Sequence, residues 1–309
     1  MQIFLARTQG FCAGVARAIE VVEQTLAAYG TPLYIFHEIV HNTSVVNGFK
    51  ARGVVFVDDI AAIPEGQRVI FSAHGISPAV LEEAKKKNLI TINATCPLVT
   101  KIHRESEGFS RQNIPVVLIG HKGHEEVVGT SGHVRPDLLH IISTRADIEK
   151  LDIDPRLKVA YVTQTTLSVD DTRELVRLLR EKFSLLTGPL HEDICYATQS
   201  RQDAIKELAS LCGPKGLIII CGSSNSSNSN RLMEKGQQLG VTSIIVDNAG
   251  DLDLTVIDGK ENIGISSGAS VPRYLVDEIV LKIRAVCPRA ELINFDNPEK
   301  HVVFPLPRI

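Results

Sequence analysis

Apolar, β-branched runs of about four residues recur along the chain, at 54–57, 69–71, 116–119, 159–162, 217–220 and 244–246. Runs without polar alternation are what strands buried on both faces require, and such strands occur in parallel sheets covered by helices. The stretches 15–28, 78–87, 98–111, 168–183, 197–211 and 272–285 place apolar residues on one helical stripe. The alternation predicts an α/β fold with parallel sheets. At 309 residues the chain has room for two or three such units.

Three segments repeat a second pattern. Cys12, Cys96 and Cys195 each stand just before a predicted helix, and a basic residue (Arg17, Lys101 or Arg201) follows five or six positions later. The cysteines are 84 and 99 residues apart, each spacing the size of a small α/β unit. Polar loops at 72–75, 120–124 and 222–228 follow apolar runs. The carboxyl end of a parallel strand is where α/β folds place ligands. The pattern predicts three similar units meeting at a shared centre, with two doubly wound domains as the alternative.

Charge and composition exclude several classes. With 33 basic and 36 acidic side chains the net charge is −3, which offers nucleic acid no basic face. Trp is absent and aromatics make up 5%, too few for base-stacking platforms. No apolar run approaches the roughly 18 residues that span a bilayer, and the amino terminus is not a signal sequence. A cytoplasmic protein without membrane partners is therefore expected. Thiols there stay reduced, so the six cysteines read as metal ligands, catalytic thiols or core residues. Neither a G-x-x-x-x-G-K-[ST] loop nor a G-x-G-x-x-G loop is present, so electrons must enter from outside the chain.

The settings of the cysteines divide them. Cys12, Cys96 and Cys195 lie among Gly, Ala, Thr and Pro at helix entrances, where the helix end favours the thiolate that metals bind. Cys212, Cys221 and Cys287 read as small buried hydrophobes or incidental thiols. Position alone leaves structural and metal-binding roles equally open for the first three. A four-iron cluster ordinarily takes four thiolates, so three would leave one iron open to substrate.

His41, His74 and His124 lie in polar loops, whereas His103, His133, His140, His191 and His301 show no special setting. Thr165 ends an apolar run, and Ser168 reads as the cap of the following helix. Ser226, Ser227 and Asn228 lie in a Ser/Asn-rich loop that is either a polar turn or a phosphate cradle at a helix start. Ser270 stands in a similar strand–glycine–helix setting.

Gly10-Phe-Cys-Ala-Gly-Val, His37-Glu-Ile-Val-His-Asn, Phe71-Ser-Ala-His-Gly, Ala94-Thr-Cys-Pro-Leu-Val-Thr-Lys, Gly120-His-Lys-Gly-His-Glu-Glu, Thr163-Gln-Thr-Thr-Leu-Ser, Asp193-Ile-Cys-Tyr-Ala-Thr, Asn225-Ser-Ser-Asn-Ser-Asn and Gly268-Ala-Ser run in order from residue 10 to about 270. Together they resemble the LytB/IspH family of 4-hydroxy-3-methylbut-2-enyl diphosphate reductases. The resemblance implies three similar α/β units with parallel sheets in a trefoil around a central 4Fe–4S cluster. Units 13–96, 97–194 and 1–12 with 195–286, and a tail 287–309, follow from the same reading.

By matched position, Cys12, Cys96 and Cys195 would hold the cluster, leaving one iron open. His41, His74, His124, Ser226, Ser227, Asn228 and Ser270 would bind the diphosphate of an allylic substrate. Thr165 would lie near the substrate hydroxyl, and Glu126 on the route of proton delivery. An external donor such as ferredoxin or flavodoxin would supply electrons. The products would be isopentenyl and dimethylallyl diphosphate, at the last step of the non-mevalonate isoprenoid pathway. Glu125 stands where many members have Pro, and the tail matches poorly. The three imidazoles beside a polyanion are expected in their protonated forms. A non-redox iron–sulfur hydro-lyase and a metal sensor are the competing readings.

Overall fold

A computed structural model describes residues 1–191, 193–295 and 302–309; His301 and the middle of the expected tail lie outside the described residues. The strands, in chain order, are β1 (Gln2–Leu5), β2 (Leu33–Phe36), β3 (Val54–Val57), β4 (Arg68–Phe71), β5 (Ile90–Asn93), β6 (Val116–Ile119), β7 (Leu139–Ile142), β8 (Lys158–Thr163), β9 (Leu185–Thr187), β10 (Leu217–Cys221), β11 (Thr242–Val246), β12 (Asn262–Ser267) and β13 (Glu291–Ile293). The α-helices are α1 (Ala13–Tyr29), α2 (Thr43–Ala51), α3 (Pro78–Lys86), α4 (Pro97–Arg111), α5 (Glu125–Ser131), α6 (Arg145–Glu149), α7 (Val169–Lys182), α8 (Tyr196–Cys212), α9 (Ser227–Gln238) and α10 (Arg273–Val286).

The strands form three parallel sheets, ordered β11-β10-β12-β1-β13, β3-β2-β4-β5 and β7-β6-β8-β9. The repeat inferred from the cysteines therefore appears as shared topology. Each sheet places its first strand (β10, β2 or β6) between its second and third, and its fourth (β1, β5 or β9) beyond the third. In the five-stranded sheet the fourth position is filled by the amino-terminal β1, and β13 adds an edge from the stretch expected to be a tail. Every cysteine of the triplet follows a fourth strand, and the polar loops follow first and third strands. The switch between first and third strands is where a parallel sheet opens a crevice.

Two compact units group these sheets. One comprises residues 1–16, 40–51 and 196–303, with the five-stranded sheet; the other comprises 17–39, 52–195 and 304–309, with both four-stranded sheets. Both contain strands that are apolar throughout. All of Val116–Ile119 and Leu217–Cys221 are buried. Successive residues of β10 point to opposite faces, so Leu217, Ile219 and Cys221 pack in one core while Ile218 and Ile220 pack in another with Cys212. The predicted Ser168 cap is present, its hydroxyl accepting the Asp171 N–H at 3.2 Å. The described tail also has attachments: the Pro305 carbonyl accepts Arg17 Nε at 2.7 Å.

His103 has a setting that the sequence did not mark. It is buried on α4 and stacks on His133, with ring centroids 4.1 Å apart. His133 Nδ1 lies 2.8 Å from Glu107 Oε1, and its Nε2 meets the Ile76 carbonyl at 3.1 Å. Burial, assisted by the charge of His133, lowers the His103 imidazole from 6.5 to about 3. A histidine whose folded pKa is depressed binds its proton more readily when unfolded, so it lowers stability as pH falls from 6.5 toward 3. The expected contribution is on the order of a few kcal/mol across that window. His103→Leu should flatten the acid limb of stability measured by denaturant unfolding; an unchanged limb would show that His103 does not set it.

Candidate active site

In the unit with two four-stranded sheets, the loops after β4, β6 and β8 gather four of the expected site residues. His124 caps α5, its Nδ1 accepting the Glu126 N–H at 3.2 Å. In that geometry Nδ1 serves as the acceptor. His74 Nδ1 lies 2.8 Å from Glu125 Oε2, a pairing that suits a protonated ring, and its ring meets that of His124 edge-on at 6.0 Å.

Glu126 is 3% exposed and faces Thr165. Its Oε1 accepts the Thr165 N–H at 2.6 Å, and its Oε2 accepts the Thr165 hydroxyl at 2.8 Å. Both are charge-assisted bonds to a carboxylate. The Thr165 carbonyl in turn accepts the Cys195 N–H at 3.2 Å. One threonine thus joins a buried carboxylate to the turn that bears a thiol. Cys96 stands just before α4, which Pro97 opens, and its N–H is held by the Ala73 carbonyl at 3.0 Å, next to His74.

Asp193, two residues before Cys195, has a fully buried side chain. Its carboxylate accepts Lys101 Nζ at 2.8 Å and the Thr163 N–H at 2.9 Å. Burial raises its pKa to about 6, against the opposing pull of Lys101 and the Thr163 N–H.

The other unit holds Cys12, His41, Ser226, Ser227, Asn228 and Ser270. The Cys12 N–H is bound by the Ala269 carbonyl at 3.0 Å, and its Sγ accepts the Val15 N–H of α1 at 3.4 Å. Ser226 caps α9 by accepting the Ser229 N–H, which leaves its own O–H available; Ser227 is the half-buried first residue of the helix. Asn228 is 5% exposed. Its Oδ1 accepts the Ala269 N–H at 3.0 Å, while its Nδ2 is a buried donor without a partner among the described residues. The Ser270 hydroxyl donates to the His41 carbonyl at 2.7 Å, tying those two loops together. Helix N–H groups, a serine hydroxyl and this amide are thus neighbours at the start of α9.

The six cysteines are thiols; Cys212 and Cys221 are buried as the sequence suggested, whereas Cys287 is half-buried at the end of α10. Cys12, Cys96 and Cys195 are half-buried at helix entrances. Cys212 and Cys221 are buried in the two sheet cores, and burial pushes them up to about 11 and about 12. Such thiols resist ionisation, whereas the first three are not enclosed in a core and their sulfurs are of the type that binds iron. Sequence reasoning noticed Glu125 only as a departure and did not mark Asp193. Its aspartate-before-cysteine position was a signal, but nothing local reveals that Lys101, 92 positions away, pairs with it.

The model of the LytB protein family matches residues 3–284. The chain is 48% identical over 307 residues to the 4-hydroxy-3-methylbut-2-enyl diphosphate reductase of Azoarcus sp. (strain BH72), covering 99% of this chain and 97% of that one. It is 44% identical to the same-named protein of Neisseria meningitidis serogroup B over 306 residues, 99% and 94% of the two chains. Among solved structures, the E-1-hydroxy-2-methyl-but-2-enyl-4-diphosphate reductase of Plasmodium falciparum superimposes with a TM-score of 0.94 at 38% identity, covering 99% of this chain and 95% of that one. A structure described as (E)-4-hydroxy-3-methyl-but-2-enyl diphosphate reductase, the terminal enzyme of the non-mevalonate pathway, gives 0.64 at 32% identity over 92% and 100%. Full-length identity of this order, together with the fold, makes the chain a member of the LytB family.

Proposed function

We propose that this chain catalyses the two-electron, two-proton reductive dehydroxylation of 4-hydroxy-3-methylbut-2-enyl diphosphate. The C–O bond breaks, the oxygen leaves as water, and a proton at either end of the allyl fragment gives isopentenyl or dimethylallyl diphosphate. Cys12, Cys96 and Cys195 are the residues we assign to one 4Fe–4S cluster with an open iron. When bound, it would supply electrons, received from a donor such as ferredoxin or flavodoxin, and polarise the substrate oxygen.

The observation that supports this reading most is the Glu126–Thr165 pair, bound in turn to the Cys195 turn. A proton arriving on Glu126 Oε2 turns that oxygen from acceptor to donor toward Thr165 Oγ, and the freed hydroxyl hydrogen can rotate to a substrate oxygen. Burial of the carboxylate keeps bulk water from short-circuiting this transfer. The Asn228 Nδ2, the Ser226 hydroxyl and the N-terminus of α9 donate to phosphate oxygens. His124 donates through Nε2, and His74 adds charge when protonated. His41, Ser227 and Ser270 complete the assigned diphosphate set. No helix among the described residues is long and apolar enough to cross a membrane, and we read the protein as cytoplasmic.

Anaerobic purification with iron, sulfide and optical measurement, followed by assay of the allylic diphosphate with and without a chemical reductant, tests the reading. Reductant-dependent formation of both products is expected. Dehydration without reductant would favour a hydro-lyase, and cluster binding without turnover a sensor.

A further inference from the structure

The basic residue that follows each cysteine has no part in the chemistry above, yet its contacts share a rule. Arg17, on the helix after Cys12, donates through Nη1 to the carbonyl of Thr95 at 3.1 Å, one residue before Cys96. Lys101, on the helix after Cys96, binds the carboxylate of Asp193 at 2.8 Å and the carbonyl of His191 at 2.7 Å, just before Cys195. Arg201, on the helix after Cys195, donates through Nη2 to the carbonyl of Gly10 at 2.8 Å, two residues before Cys12. In sequence order each cation reaches the approach to the next cysteine, and the last reaches the approach to the first.

We propose that Arg17, Lys101 and Arg201 are positioning residues, each rising from the helix behind one cysteine and gripping the turn that presents the next. The inference rests on the assignment of these three cysteines as cluster ligands.

Two physical points support it. The acceptors lie in the loops that lead from the fourth strands to the cysteines, so each cation adds to the backbone bond that holds the cysteine N–H. A cation there both orders the turn and offsets the negative charge that thiolates bring. The other side of Arg17 binds the Pro305 carbonyl, which braces it from the described tail.

The test is the rate at which the holoenzyme loses its cluster to an iron chelator, followed optically without oxygen. Cysteine alkylation is mapped by mass spectrometry as the cluster is lost. Arg17→Gln and Lys101→Met should each lose cluster about 10–100-fold faster than wild type, the range found when ligand-orienting partners are removed. Arg17→Lys and Lys101→Arg should recover part of the loss. The first thiol to become reactive should be Cys96 in Arg17→Gln and Cys195 in Lys101→Met. Arg201 is fully buried, so Arg201→Lys replaces a truncation, and Cys12 should be exposed first. Lys85→Met, which removes an exposed cation paired with Glu82, should match wild type. Wild-type loss rates in the Arg17 and Lys101 variants, or alkylation in wild-type order, overturn the proposal. A wild-type chain that takes up no cluster overturns the ligand assignment itself and this proposal with it.

Discussion

Glu126→Gln is expected to lower turnover by a factor of about 10²–10⁴, the range attributed to one positioned acid, with iron content and diphosphate binding unchanged. An amide presents one acceptor and one donor to a threonine that offers two donors. One Thr165 donor is then left facing an NH₂ group, and the Gln side chain cannot deliver a proton. The orphaned group costs about 1–3 kcal/mol of stability, so turnover should be measured well below the lowered unfolding temperature. The separation of kcat from KM is the diagnostic. A large rise in KM at constant kcat would mean that Glu126 binds rather than protonates, and wild-type turnover would remove it as proton donor. Glu125→Gln is the matched control: it alters the partner of His74 and leaves the Glu126–Thr165 pair in place.

The second large effect is expected at the cysteines. Cys12→Ser, Cys96→Ser and Cys195→Ser should each lose the cluster or hold it too weakly to survive purification, with reductase activity falling to background. A serine hydroxyl does not ionise at neutral pH, so a helix entrance that favours a thiolate gains nothing from it. Cys212→Ser should keep cluster and activity. Its cost lies in the core, where a hydroxyl replaces a buried thiol among Ala204, Leu208 and Ile218 and loses about 1–3 kcal/mol unless it finds a partner. Iron and sulfide analysis of the four variants, purified side by side without oxygen, checks this. Cluster loss at Cys212 equal to that at Cys96 would break the assignment.

Much of the architecture could be read from short-range pattern. The run 116–119 became β6 without a change of boundary, because four consecutive buried apolar residues have no competing fate. The cysteine triplet was visible because helix entrances leave a local signature. What stayed hidden was long-range pairing. Nothing near residue 193 indicates a lysine from α4, and nothing near His103 indicates that His133 stacks on it. His124 shows a subtler limit: sequence identified the residue, but its place as the cap of α5 followed only from the geometry. The edge strand Glu291–Ile293 was missed because three residues carry too little periodicity to stand out from a tail.

The place of β1 bears on how the chain matures. It precedes every other described strand, yet its neighbours in the sheet begin at residues 262 and 291. Those neighbours are synthesised long after β1, whereas both four-stranded sheets draw on local sequence and can close earlier. The amino-terminal segment must wait as an unpaired apolar strand, a species prone to association. Since Cys12 lies only seven residues beyond β1, its thiol reaches its final setting only after β12 has been made.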